Sequence, residues 1–281
     1  MKSSLNWRAA KYMIISTSAF TLMNALIKYL EGIPALELVF FRCLGSFVLC
    51  MGYLSYHRIP ILGTHRGWLI ARALVGGVAM SLFFLAIKAL PFGSVVSLRY
   101  LSPIFAALFA MYLLREKVRP IQWFFFLLAF GGVLLLKGFD PQINLKGLSL
   151  IVGSAVLSGL VYVIIRKIGQ REHPVVIVNY FMFIALLGSG LYSAFYWKAP
   201  KAEEWGILLF LGVLGFFGQW YMTRAFQIAR ASAIAPMKYL EVIFALLIGW
   251  SYFGESYSDV ALLGIAMILI GMFCNLQVKA A

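Results

Sequence analysis

Charged and polar side chains set inside apolar runs are where this sequence can do chemistry. Lys238 and Glu241 stand three positions apart in one such run and so share a helix face. Two arrangements fit that spacing. One is an intrahelical ion pair that only cancels charge. In the other, Lys238 meets an anionic group while Glu241 binds a cationic group or a proton; Glu241, the one carboxylate deep in a run, is then the candidate coupling group. Arg99 lies in an earlier run, one turn before Ser102. Its planar fork suits bidentate binding of a carboxylate or phosphate, with snorkelling to a membrane surface as the plain alternative. Arg42 pairs poorly with Glu37, five residues back, so a cavity or cross-helix role is expected. Asn24, Asn179 and Gln219 are further polar groups in apolar runs, and Lys28 is either an end anchor or a cavity residue. Tyr100 and Tyr239 follow the two cations and would stack on or bond a substrate, or pack. Trp220, beside Gln219, would face the same cavity or pack. Arg72, Lys88 and Arg224 fall near the ends of runs, where snorkelling accounts for them.

The elements that carry these residues follow from composition. Of 281 residues, 63% are hydrophobic and 12% charged, more apolar side chain than a soluble domain of this length can hide. The charges are grouped, and the stretches between them approach the roughly 17–25 residues that a helix needs to cross a hydrocarbon core. Backbone groups in lipid must bond internally, which makes these stretches helices; strict apolar–polar alternation, the mark of a barrel, is missing. The spans are expected at about 9–30, 36–56, 68–90, 94–114, 120–138, 146–165, 175–197, 205–226, 232–253 and 258–277. The first has no small-residue cleavage site and reads as a permanent span. With a cytoplasmic N-terminus, the inner segments hold fourteen basic residues: Lys2, Arg8, Lys11, Arg58, Arg66, Arg115, Lys117, Arg119, Arg166, Lys167, Arg171, Arg224, Arg230 and Lys279. The outer loops hold four, Lys137, Lys146, Lys198 and Lys201. This bias predicts that both termini are cytoplasmic, in a multi-pass plasma membrane protein of bacterial inner-membrane type. It also accounts for the net charge of +14 without nucleic acid as a partner. Trp7, Trp68, Trp197 and Trp205 fall at expected interfaces. Cys43 and Cys50 are two turns apart on one helix, about 10 Å, too far to bridge; with Cys274 they read as packing or lipid-facing residues.

Shifted by 139 positions, the sequence matches itself. Ala86 falls on Ala225, Tyr100-Leu101 on Tyr239-Leu240, Ile104-Phe105-Ala106 on Ile243-Phe244-Ala245, Glu116 on Glu255, Gly76 on Gly215 and Gly132 on Gly271. Arg99 falls on Lys238, and Ser102 on Glu241. The offset covers five spans, an odd number, so the second copy enters the membrane upside down relative to the first. Inverted repeats are a transporter architecture with the substrate site near the midplane between them. The expected units are 1–141 and 142–281. Pro103 and Pro236 can bend spans four and nine, as alternating access requires. Glu116 and Glu255 are read as turn and helix-start residues that satisfy free N–H groups. Gly212, Gly215 and Gly218 allow close helix approach.

With Phe41-Arg42-Cys43, Arg72 with Gly76, Ser102-Pro103, Glu116, Gly218-Gln219, Thr223-Arg224-Ala225, Met237-Lys238, Glu241 and Glu255, nearly the whole chain resembles the drug/metabolite transporter superfamily with paired EamA domains. It is similar to the G-type branch of solute carrier family 35, and Arg99 departs from the small polar residue expected there. The resemblance implies an all-α integral membrane fold: ten helices as two inverted five-helix repeats around a central cavity walled mainly by helices other than five and ten. No P-loop, histidine–acid constellation or Cys/His cluster marks an enzyme, a cofactor or a metal. The expected function is secondary transport of an organic anion or zwitterion such as an amino acid, a carboxylate or an S-adenosylmethionine-like metabolite. It would work as a uniporter, an exchanger against a counter-substrate or a carrier coupled to protons, with the lipid bilayer as the other partner. A multidrug or cationic-compound exporter working through Glu241 is the second reading, and a membrane enzyme or non-transporting signalling scaffold the third.

Overall fold

The computed structural model describes residues 7–99, 101–114, 120–139, 144–228, 238 and 240–277, and every regular element among them is helical. The elements are α1 (Trp7–Tyr29), α2 (Ala35–Tyr56), α3 (Arg66–Ala89), α4 (Phe92–Arg99), α5 (Ser102–Leu114), α6 (Pro120–Phe139), α7 (Leu145–Ile168), a 3-10 turn (Gly169–Arg171), α8 (Pro174–Tyr196), α9 (Glu204–Ile228), α10 (Leu240–Ser251) and α11 (Asp259–Gln277). Among the described residues, six stretches are long and apolar enough to cross a membrane: Ala35–Tyr56, Arg66–Ala89, Phe92–Leu113, Leu145–Arg171, Pro174–Tyr196 and Glu204–Ile228. Shorter apolar stretches lie at Pro120–Gly132 and Asp259–Gly271. Large apolar side chains such as Val48, Leu127, Leu191 and Leu209 point outward, as lipid contact demands. Cys43 and Cys50 are buried packing residues.

Helix packing follows a regular pattern. α6 packs on α11, α4 on α10, and α2 on α8; α1 packs on α9 and α10, α3 on α7 and α8, α2 on α9, and α5 on α7. Small residues and hydroxyls set the approach. A Cβ on Gly45 would lie 2.8 Å from the Cα of Gly212, so α2 and α9 touch backbone to backbone. Buried hydroxyls then bond across helices: Ser46 donates to the Gly212 carbonyl (2.8 Å), Ser16 to the Gly218 carbonyl (2.8 Å) and Ser154 to the Ala79 carbonyl (2.7 Å). Each such bond is worth on the order of 0.6 kcal/mol in a membrane bundle.

Both ends of the bundle are tied by side chains that satisfy helix termini. Where α1 and α3 finish, Lys28 Nζ donates to the carbonyls of Leu90 (3.0 Å) and Ile87 (3.4 Å), and Lys88 Nζ donates to that of Leu30. Each lysine thus caps the C-terminus of the other's helix, where the dipole favours a cation. Glu255 accepts from the N–H groups of Phe92 (2.5 Å) and Gly93 (3.3 Å), and Tyr257 donates its hydroxyl to the same carboxylate. Glu255 therefore satisfies a helix start, as expected, but that of α4 across the bundle rather than that of its own neighbour; Glu116 lies outside the described residues.

At the opposite end Glu172 gathers the turn before α3. Its Oε1 accepts from Thr64 N (2.7 Å), Thr64 Oγ1 (2.7 Å) and His65 N (2.5 Å), with His65 Nδ1 at 3.2 Å. Gly63 permits this: its φ is +58°, and a Cβ there would lie 2.7 Å from Glu172 Oε2. Burial works to raise the Glu172 carboxyl, but the donors from His65 and Thr64 win and hold it below its ordinary value of 4.5. Burial, with Arg224 and His57 nearby, keeps the His173 imidazole below its ordinary value. Nearby, Gln227 Nε2 donates to the carbonyls of Gly169 (3.1 Å) and Glu172 (3.1 Å).

Two outcomes test this packing. Gly212→Ile should destabilise the bundle by about 1–3 kcal/mol through forced separation of α2 and α9. Gly188→Ile, where no atom lies within 4 Å of the added Cβ, should leave the melting midpoint in detergent unchanged. The second concerns pH. A carboxylate whose folded pKa is depressed stabilises above its unfolded value and loses that contribution as pH falls through the folded one. Glu172→Gln should therefore melt roughly 2–6 °C below wild type at pH 7, with the gap closing below about pH 4.

Candidate functional site

The site begins with a broken helix. Pro103 has no N–H to give the carbonyl of Arg99, four residues back, and it disfavours helical geometry at the residue before it. α4 accordingly ends at Arg99 and α5 starts at Ser102. The turn between them tightens, with Leu101 N bonding Leu98 O (3.2 Å) and Ile104 N bonding Leu101 O (3.0 Å). Arg99 is thus set beside the N-terminus of α5 with its guanidinium 3.8 Å from the ring centroid of Phe83. Lys238 stands two residues before the start of α10. Its Nζ lies 3.7 Å from Met222 Sδ and 3.4 Å from the Tyr162 hydroxyl, which also bonds Ser102. The two cations therefore occupy matching places at two helix starts, and Phe83 and Met222, their contacts, are themselves 139 positions apart.

Two more arginines reach the same centre. Arg42 on α2 and Arg72 on α3 are 2% and 1% exposed, so neither snorkels. Arg72 stacks on Phe181 with 4.0 Å to the centroid, and its Nη2 donates to Gln219 Oε1 at 3.3 Å. Arg42 lies over Phe84 at 5.6 Å with Nη1 against Met80 Sδ. Glycine makes room for both: a Cβ on Gly76 would lie 2.9 Å from Arg72 Nη1, and one on Gly215 2.9 Å from Arg42 Nε. Arg42 is within electrostatic reach of both Arg72 and Arg99. Among the described residues, no acceptor meets Arg42 Nε or Arg72 Nε and Nη1. A buried donor without a partner costs about 1–3 kcal/mol, more when charged, so the site is built to receive oxygen acceptors.

These groups surround one cavity of about 40 Å³, lined by Arg42, Arg72, Arg99, Ser158, Tyr162 and Gln219 with an apolar remainder of Phe, Met and small residues. It has room for a few waters, far less than the roughly 300–1,000 Å³ of sites for metabolites. The lining comes from α1, α2, α3, α4, α7, α8 and α9, and none from α6 or α11. Glu241, 2% exposed, accepts from Asn24 Nδ2 at 2.9 Å, joining α10 to α1.

Of the residues singled out in the sequence, Arg42, Arg99 and Gln219 line this cavity, Ser102 and Lys238 join it through Tyr162, and Asn24 bonds Glu241. Lys28 belongs instead to the end seal with Lys88, beside a second, open pocket of about 360 Å³. Trp220 packs in an aromatic group with Tyr53, Phe216 and Tyr221, under Arg224. Tyr100, Tyr239 and Pro236 lie outside the described residues. The sequence reading missed Arg72, assigned there to a span end, and also Tyr162 and Ser158.

The sequence profile of the EamA-like transporter family matches this chain twice, over residues 7–137 and 145–277. The pseudopaline exporter CntI of Pseudomonas aeruginosa is 29% identical over 274 residues, covering 95% of both chains. Human solute carrier family 35 member G1 is 27% identical over 262 residues, covering 87% of this chain and 72% of its own. The riboflavin transporter of Vibrio cholerae is 25% identical over 273 residues, covering 94% and 91%. A solved crystal structure that is 17% identical superposes with a TM-score of 0.71 over 96% of this chain and 97% of its own, which speaks for the fold alone. A buried, cation-lined centre between apolar helices and a family match over nearly the whole length agree, and the chain belongs to the EamA-like transporter family of multi-pass membrane proteins.

Proposed function

We propose that this protein is a secondary transporter that moves a small organic anion or zwitterion across the membrane by alternating access. An amino acid, a carboxylate or an S-adenosylmethionine-like metabolite fits that class. The observation that carries the reading is the central cavity, where Arg42, Arg72 and Arg99 converge and buried guanidinium N–H groups meet no acceptor among the described residues. An ionised residue in a membrane interior costs about 2.5–3.5 kcal/mol on insertion scales, and several held together suit a charge-bearing substrate. Relatives named for pseudopaline export and riboflavin transport support a small-molecule cargo.

The machine that would move it is a pair of inverted repeats, 1–141 and 142–281. The double family match supports this division. So does the way contacts repeat at the 139-residue offset. Ser16 bonds the carbonyl of Gly218 and Ser154 that of Ala79; Lys88 bonds the carbonyl of Leu30 and Gln227 that of Gly169. Gly271 faces Phe125 O and Ala129, while Gly132 faces Gly264 O and Ile268. In each case the acceptors, or the facing residues, are offset partners. The basic residues of the loops favour cytoplasmic termini, which makes the Lys28–Lys88 end the outer seal and the Glu172 end the inner one. Substrate passage then requires each seal to open in turn. Glu241, held by Asn24, is the group placed to exchange a proton or answer a counter-substrate.

Lys238→Ala should abolish uptake or efflux in proteoliposomes while the protein still purifies as a folded species; transport within twofold of wild type would reduce Lys238 to charge balance. Competition separates the cargo classes. Carboxylates and amino acids should inhibit transport, and inhibition by lipophilic cations alone would instead favour an exporter working through Glu241.

A further inference from the structure

We infer that a small inorganic monoanion, of the size of chloride, binds in the central cavity between Arg42 and Arg72 and supplies the counter-charge of this pair. A halide there goes beyond the transport reading above and requires no particular cargo. Burial sets the need. Arg42 and Arg72 are both buried, both line the cavity and lie within electrostatic reach of each other. The other titratable groups that reach the pair are Arg99, the Cys43 thiol and the Tyr162 hydroxyl; among the described residues no carboxylate does so. Phe84 and Phe181 meet the guanidinium faces, and Gln219 Oε1 accepts from Arg72 Nη2. Rings and an amide are neutral partners. Arg42 Nε and Arg72 Nε and Nη1 still meet no acceptor among the described residues. Water can accept these hydrogen bonds, but it leaves two like charges together in a medium of low dielectric, where repulsion is strong and buried charges are as a rule paired. An anion shared by both guanidiniums answers the charge and the donors at once.

Space and donor chemistry select the kind of anion. The cavity of about 40 Å³ has room for a few waters, and so for one halide. Glycine keeps the donors uncovered. A Cβ on Gly76 would lie 2.9 Å from Arg72 Nη1, and one on Gly215 2.9 Å from Arg42 Nε, which are two of the three donors without an acceptor. A carboxylate or phosphate is matched best by the parallel N–H groups of one planar fork. Here the donors belong to two side chains on two helices, α2 and α3, and Arg72 Nη2 is already engaged by Gln219. A spherical ion accepts from any direction and has no plane to satisfy. The walls suit it as well, since Met80 Sδ lies against Arg42 and thioethers are soft and adaptable.

The test uses the full-length protein purified in detergent without chloride, with sodium methanesulfonate replaced stepwise by sodium chloride at constant ionic strength. Methanesulfonate is the reference because it carries the same charge on a larger body. The melting midpoint should rise by roughly 2–4 °C and then saturate, and bromide should act as chloride does. An equal midpoint in chloride and methanesulfonate overturns the halide site. Two variants test its placement. Arg72→Gln removes one of the two cations and should abolish the chloride response. Gln219→Glu puts a carboxylate where an oxygen already meets Arg72; it should melt above wild type in methanesulfonate and no longer respond to chloride. A full chloride response in either folded variant overturns the placement, and Gln219→Glu keeps the test decisive if Arg72→Gln does not fold. Carboxylates and amino acids are titrated separately in methanesulfonate. A protein that answers chloride but none of them keeps the halide site and loses the organic-anion reading, and the reverse result loses the halide site alone.

Discussion

A guanidinium group cannot shed its proton inside a lipid-surrounded bundle, and it cannot be left there without something to face. The centre of this protein is organised by that constraint. Each of the three arginines lies against a phenylalanine: Arg42 on Phe84, Arg72 on Phe181 and Arg99 on Phe83. A desolvated contact of this kind contributes up to about 2 kcal/mol, which offsets part of the burial penalty and fixes the plane of the guanidinium. It does so through the ring face and uses none of the N–H edges. Gln219 takes one of those edges on Arg72. Arg42 Nε and Arg72 Nε and Nη1 meet no acceptor among the described residues, and both side chains line the cavity held in place by their rings, a condition for binding an anion with little loss of side-chain freedom.

Helix continuity is given up where this charge is needed. An unbroken fourth span would spend the Arg99 carbonyl and the following N–H groups on its own ladder. Pro103 breaks that ladder, and the first turn of α5 then has free N–H groups beside a cation. Elsewhere the backbone is conservative. Glycine contacts such as Gly45 on Gly212 hold helices close, and the loose ends are closed by side chains, lysines and Glu255 at one end and Glu172 with Gln227 at the other. The two ends thus carry different chemistry: ammonium groups on carbonyls with a carboxylate on N–H groups at one, a carboxylate and a neutral amide at the other.

Much of this was legible in the sequence because membrane insertion makes ionisable residues conspicuous. Arg42, Arg99, Lys238 and Glu241 stand out against apolar runs; Arg42, Lys238 and Glu241 are buried, and half-buried Arg99 lines the cavity with Arg42. The apolar runs themselves gave the helices, with the break after Arg99 signalled by Pro103. Arg72 was misjudged because distance along the chain was taken for distance from water. It lies six residues into α3, yet its side chain points inward over Gly76 to Phe181 and Gln219. Tyr162 was passed over because a tyrosine in an apolar run looks like packing; its hydroxyl, flanked by Ser102 and Lys238, is what makes it part of the site. For Lys28 and Trp220 residue type alone leaves two places open, and the structure takes the end anchor for one and packing for the other. Which face of a helix meets which neighbour is a tertiary fact, and no single-sequence period in so uniformly apolar a chain encodes it.

Comparison of positions 139 apart shows how one backbone pattern serves two chemistries. Gly76 is the slot that admits the ring of Phe181, and Gly215 is the slot that admits the side chain of Arg42. Gly76 and Gly215 are offset partners, and so are Phe181 and Arg42. The same holds for Arg99 on Phe83 against Lys238 on Met222. Backbone approach is retained on both sides, because it sets the packing of every helix, while the group that fills the slot has diverged. Arg42 and Arg72 have Phe181 and Leu211 as partners, so this part of the positive charge sits against α2 and α3 and is not mirrored against α8 and α9. Positive charge placed unevenly about matching backbone positions can hold an asymmetric anion in one orientation only.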